Sequence, residues 1–199
     1  MNNINDLISK LECKWGKFEK DLFYQKQIDM SGGRKRSYLN ILFNPISKSN
    51  YNFIEKMLDC KLHPELNMLY NQYNGIMLFF ESLRIYGIQT ANECLYEPSD
   101  LVKRNIQIDI SSLDKSFENF IVFGHYSSCL FCYDKNDFKY LYVIDKNQNK
   151  IVYKFASMFD LLNHYISYLV DEYNDDGKKI HYNPKYEGLP MANISTEFI

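Results

Sequence analysis

The sequence predicts an α+β domain: a mainly antiparallel sheet, flanking helices and an N-terminal amphipathic helix. Three observations predict it. Apolar residues recur at helical spacing near the start of the chain, in a punctuated pair over residues 47–75, and again after residue 157. Between Ile76 and Phe155 the pattern changes to short apolar runs rich in Val, Ile, Tyr and Phe. The later runs are joined by loops too short for a crossover, so successive strands there must run antiparallel. Helices, then meandering strands, then a helix make an α+β arrangement.

The elements follow in order. Ile4, Ile8, Leu11, Trp15, Phe18 and Leu22 alternate by fours and threes, which puts them on one helix face. Asn3 with Asp6 resembles a capping box with Asp in the Glu position. Gly16 is expected to weaken this helix without ending it. The apolar stripe is expected to pack on the rest of the chain; a coiled-coil partner is the alternative, disfavoured because fewer than three heptads are present. Ser31-Gly32-Gly33 then marks a turn. Arg34-Lys35-Arg36 reads as solvated loop charge, and with no Gly-Lys-Ser/Thr after it there is no phosphate loop. The apolar Tyr38, Leu39, Ile41, Leu42 and Phe43 follow.

A second helix opens near Ser47 or Ser49, with Phe53, Ile54, Met57 and Leu58 expected on one face, and breaks at Asp59-Cys60-Lys61-Leu62. Pro64 suits the first position of a third helix, where its missing N–H costs nothing. Leu66, Leu69, Tyr70 and Tyr73 continue at helical spacing, and Asn74-Gly75 is expected to close that helix with Gly75 in the left-handed C′ position. Strands are expected at 76–80 and 83–88, with Ser99 capping a short helix through Arg104. Four more follow at 119–123, 129–133, 140–145 and 151–155, the last two joined by Lys146-Asn147-Gln148-Asn149. Ser157 with Asp160 resembles a second capping box, opening a helix that carries Leu161, Leu162, Tyr165, Ile166 and Leu169. Beyond Asp171 the chain is polar and is expected to be a loosely packed tail.

Composition narrows the function. The chain has 199 residues, 46% hydrophobic and 24% charged, enough to bury a core without metals or disulfides. Its net charge of −2 argues against general nucleic-acid binding, which depends on neutralising phosphates. No apolar run approaches the roughly 20 residues that span a bilayer, and residues 1–6 show no signal-peptide pattern. Five scattered cysteines do not read as a disulfide framework. A cytoplasmic protein that engages neither membrane nor nucleic acid is therefore expected. The 17 Tyr and 14 Phe are the compositional excess.

Catalytic and metal-binding groupings are sparse. Cys129-Leu130-Phe131-Cys132 has CxxC spacing, but residues three apart on a strand point to opposite faces, and no second ligand pair matches it. His63, His125, His164 and His181 are far apart and form no HExxH or HxH grouping. His125 lies close before Cys129, yet nothing supplies a third member or an oxyanion hole. Most of the carboxylates fall in predicted loops and helix ends. The expectation is a chain that is not an enzyme and takes no metal or cofactor.

The segment from Ile54-Glu55 through Cys60-Lys61-Leu62-His63-Pro64-Glu65-Leu66, followed by Leu69-Tyr70 and Tyr73-Asn74-Gly75, resembles the opening of the SUKH (Smi/Knr-like) superfamily. Phe120-Ile121-Val122-Phe123-Gly124 and Cys129-Leu130-Phe131-Cys132-Tyr133-Asp134 are similar to that family's central strands. Tyr142-Val143-Ile144-Asp145 and Phe155-Ala156-Ser157-Met158-Phe159-Asp160-Leu161-Leu162 resemble its later strand and its entry into the last helix. Leu62, Pro64, Asn74 and Gly75 carry the structural motif. The resemblance covers roughly residues 46–170, so it implies 46–170 as the domain, 1–45 as an N-terminal helical extension and turn, and 171–199 as a polar C-terminal tail. His63, inserted between Leu62 and Pro64, and Gly124-His125-Tyr126 depart from the pattern. The resemblance implies a non-catalytic protein-binding domain, in bacteria an immunity protein that binds and neutralises a cognate toxin domain. An intracellular regulatory scaffold is the alternative. Strand alternation sends half the side chains away from the core helices, so Tyr126, Tyr133, Tyr140 and Tyr142 are expected as partner-binding anchors, with cross-strand packing the alternative for each. Asp134 and Asp137 are expected to face a basic toxin site.

Overall fold

The computed structural model describes residues 4–17, 26–29, 38–45, 47–79, 82–89, 100–108 and 113–175. Among the described residues, eight strands form one antiparallel sheet in sequence order. They are β1 (Lys26–Asp29), β2 (Tyr38–Leu42), β3 (Ile76–Leu78), β4 (Leu83–Ile85), β5 (Phe120–Tyr126), β6 (Cys129–Asp134), β7 (Asp137–Asp145) and β8 (Lys150–Phe155). Around them lie α1 (Ile4–Trp15), α2 (Lys48–Leu58), α3 (Pro64–Tyr70), the short α4 (Leu101–Lys103) and α5 (Met158–Glu172). The chain is therefore an α+β fold. β1 and β2 were not expected: β1, four residues long, has too short a pattern to read.

α1 buries Leu7, Ile8 and Leu11 in the main core, so its apolar stripe does cover its own chain. Gly16 ends the helix, contrary to the expectation. It takes φ +96°, and its N–H donates to the Glu12 carbonyl at 2.9 Å, the left-handed stop that a residue without Cβ adopts at little cost. Asn3, Phe18 and Leu22 lie outside the described residues. α1 runs along α5: Lys10 Nζ donates to Asn163 Oδ1 at 2.8 Å, and Lys14 Nζ donates to the carbonyls of Val170 and Tyr173 at the end of α5. A cation on the last carbonyls of a helix suits the negative end of its dipole. Residues assigned to an extension thus contribute α1, β1 and β2 to the common core and sheet.

α2 starts after Ser47 and stops at Asp59, which takes φ +49°. Its apolar residues do not share one face. Ile54 is buried, but Phe53 is 53% and Met57 45% exposed, because 100° per residue separates the 53/57 row from the 54/58 row. After buried Leu62, α3 opens with Pro64 at its first position and His63 as its N-cap. It ends at Tyr70, earlier than the sequence predicts, and a turn over Asn71 and Gln72 follows. Gly75 does take positive φ, at +88°, but as the corner into β3 rather than as the helix stop. A Cβ there would lie 2.7 Å from the Ile85 carbonyl oxygen. Beside it, the Asn74 side chain accepts from the Ile88 N–H and donates to the Ile88 carbonyl, each at 2.8 Å. The Asn74-Gly75 pair therefore fastens β3 to the chain leaving β4.

Both early strands are shorter than expected; Phe79, just past β3, takes φ +52°. The short α4 is capped by Asp100, whose side chain accepts from the Lys103 N–H at 2.7 Å; Ser99 lies outside the described residues. A π-helical turn, Arg104–Ile108, continues from it. One face of the sheet packs on α5, with the rings of Tyr126, Phe131 and Phe155 5.3, 4.7 and 6.5 Å from that of Tyr165. On the opposite face Ile41, Phe43 and Met77 form a small separate cluster. Ser157 caps α5 as expected, accepting from the Asp160 N–H at 3.0 Å and donating to its carboxylate at 2.7 Å. The expected tail begins too early at 171: Glu172 is helical and Tyr173 is buried against Phe79. Residues 176–199 lie outside the described residues.

Candidate functional site

β6 and β7 form a hairpin whose turn is Lys135-Asn136, and its mouth is framed by Asp134 and Asp137. Each carboxylate fixes its own turn: Asp134 Oδ1 accepts from the Asn136 N–H at 2.8 Å, and Asp137 Oδ1 accepts from the Lys139 N–H at 3.0 Å. Register sets the rest. Tyr142 pairs with Cys132 and Lys154, and Phe120 pairs with Asp134, all on the face away from α5. There the Tyr142 ring lies edge-on to Phe120 at 5.1 Å and to Tyr140 at 6.4 Å. Phe120 in turn packs on Phe117 at 5.5 Å. Lys154 Nζ sits 5.3 Å from the Tyr142 ring centroid and 5.8 Å from that of Tyr140, and Lys139 Nζ is 5.1 Å from Tyr140. Burial, then the charges of Asp137 and Asp134, raises the Tyr142 hydroxyl above its ordinary value. Asp134, Asp137, Tyr140 and Tyr142 thus form one corner of aromatic rings and carboxylates on a rigid hairpin. Asp137 is exposed, Asp134 and Tyr140 are half-buried, and Tyr142 is 9% exposed.

Tyr126 and Tyr133 do not belong to that corner. Both were expected as outward anchors; they are 4% and 0% exposed. Strand parity explains the reversal: Tyr133 pairs with Leu141, one residue out of step with Tyr142, and so points to the helical face. Its ring lies 5.6 Å from His63 and 5.8 Å from Phe138. Tyr126 lies against Tyr165 and Tyr168 of α5. Both are core residues. Nothing local in the sequence marks Phe120, Lys139 and Lys154, which complete the corner only once register is known.

Cys129 and Cys132 are buried on opposite faces, and burial pushes the Cys129 thiol up to about 11, far from a thiolate. Burial lowers His63, His125 and His164. His125 falls to about 4, since Arg104, Arg84 and Lys146 add repulsion to its burial; its Nδ1 is 2.8 Å from the Tyr86 hydroxyl. His181 and Cys94 lie outside the described residues. Among the described residues, no three His, Cys, Asp or Glu side chains come together to hold a metal ion, and no helix is long and apolar enough to cross a membrane. No protein-family model matches the chain, and no curated protein matches it significantly.

Proposed function

We propose that this chain is a non-catalytic, SUKH-like binding domain, an immunity protein that captures and neutralises a cognate bacterial toxin domain. The observation that carries the reading is the corner of Asp134, Asp137, Tyr140 and Tyr142 on the β6–β7 hairpin. Tight binding requires contact groups already in place, because each side chain ordered on association costs about 0.5–1.5 kcal/mol. A strand-borne pair of tyrosines flanked by turn-locked carboxylates meets that requirement. Rings supply anchoring area, and carboxylates speed encounter with a basic surface. The order of elements supports the family reading: the Leu62-His63-Pro64 step into α3, the Asn74-Gly75 corner, the β5–β8 meander and the Ser157-capped last helix.

The test is co-expression with the toxin domain encoded by the adjacent gene. The reading predicts a complex that survives co-purification and restores growth of cells making the toxin. Absence of any complex with the intact chain removes the immunity reading and leaves the regulatory scaffold to be pursued.

A further inference from the structure

His63 stands at the N-cap of α3, immediately before Pro64. Proline has no N–H, so the Glu65 amide is the first donor this helix must satisfy. His63 Nδ1 lies 3.2 Å from that amide nitrogen, while Nε2 lies 3.0 Å from the Phe138 carbonyl oxygen on β7. A backbone N–H can only donate and a carbonyl can only accept, so Nδ1 carries the lone pair and Nε2 the proton. One neutral tautomer satisfies both partners. The imidazolium does not, because its second proton would point at the Glu65 N–H. The ring is buried and packs 5.5 Å from the Phe138 ring. Phe138 lies between Asp137 and Lys139, at the start of the strand that carries the candidate corner.

We propose that neutral His63 is a positioning residue, a clasp that holds the start of β7 against α3, and that its protonation opens the clasp and loosens the hairpin bearing Asp137 and Tyr140. The surroundings favour the closed, neutral form. From α3, the Glu65 charge and, from β7, the Phe138 carbonyl favour the imidazolium, but burial outweighs both. Glu65 is itself engaged, accepting from the Met158 N–H at the start of α5. Tyr133 from β6 and Cys60 from the α2–α3 connection are both raised by burial and add no charge near neutrality. Lys61 is turned outward onto Glu55, 2.6 Å away. The consequence for partner affinity rests on the binding reading above; the clasp itself does not.

The experiment uses the free chain, so its failure is distinct from a failure to find a partner. NMR follows the His63 ring and the Glu65 amide from pH 8 to pH 4, with hydrogen-exchange protection factors measured for residues 133–141. The two sets of resonances are expected to titrate together, with a midpoint below about 6.5. Protection of the hairpin amides should fall by up to about tenfold per pH unit below about 6.5, until the ring is fully protonated. In the His63→Asn chain the N-cap acceptor remains but nothing titrates, and the acid step in protection should disappear. Hairpin protection that stays level across the His63 titration of the wild-type chain overturns the proposal. So does an acid step that persists in folded His63→Asn protein. Should that variant not fold, the wild-type titration decides alone.

Discussion

Buried asparagines do the work of strand backbone at three places. Asn40 Oδ1 accepts from the Phe79 N–H at 3.1 Å, just past the end of β3. Asn74 pairs with both backbone groups of Ile88. Asn105, on the π-helical turn, does the same for Val122, accepting from its N–H at 2.8 Å and donating to its carbonyl at 2.7 Å. Removing such a side chain leaves a buried N–H and C=O unmet, at about 1–3 kcal/mol each. Asn105→Ala is therefore expected to cost about 2–6 kcal/mol in a urea denaturation experiment; a loss below about 0.5 kcal/mol would show that water replaces it. Gly75 makes a sharper prediction. With φ +88° and the Ile85 carbonyl where a Cβ would go, Gly75→Ala should destabilise by more than about 1 kcal/mol in the same experiment. The Asn74-Gly75 corner was legible because the dipeptide is a local turn signal. Asn40 and Asn105 were not, since their partners lie 39 and 17 residues away and nothing local marks an asparagine as a strand substitute.

At the scale of elements, caps and periodicity were the readable features. Ser157, Pro64 and the α1 stripe could be placed because a helix end or face is decided within a few residues. Strand parity was not readable at that distance. Tyr133 and Tyr142 belong to adjacent strands, and only the register, with shifts at Tyr133/Asp134 and Val143/Ile144, decides which ring faces the helical side of the sheet. Two of the six residues expected at the partner site, Tyr126 and Tyr133, point into the core for that reason, while Asp134, Asp137, Tyr140 and Tyr142 lie together. α1 offers the element-scale prediction. Leu11 is buried among the main core residues, so Leu11→Ala should cost about 2–5 kcal/mol in a denaturation series. A near-neutral result would mean that α1 is a detachable appendage after all.

Over the whole molecule, three histidines share one sign. His63, His125 and His164 are all lowered, chiefly by burial, so the folded chain binds fewer protons than the unfolded chain below about pH 6.5. Their stabilisation is present above about pH 6.5 and is lost as pH falls toward each folded value, which for His125 is about 4. Melting temperature should therefore drop between pH 7 and pH 5, before Glu55, whose lowered carboxylate matters only at more acid pH, begins to protonate. A level melting temperature over that interval would contradict the burial of these rings. On the proposed function, the outward corner of the β6–β7 hairpin is the partner interface. Isothermal titration against the toxin partner that the proposed function requires compares wild type with a folded Tyr140→Ala/Tyr142→Ala chain. Tyr153→Ala serves as control, since Tyr153 is an exposed ring on β8 stacked on His164, outside the corner. The double substitution is expected to weaken binding by about 2 kcal/mol or more while the control leaves it unchanged; wild-type affinity in the folded double variant would contradict an interface at this corner.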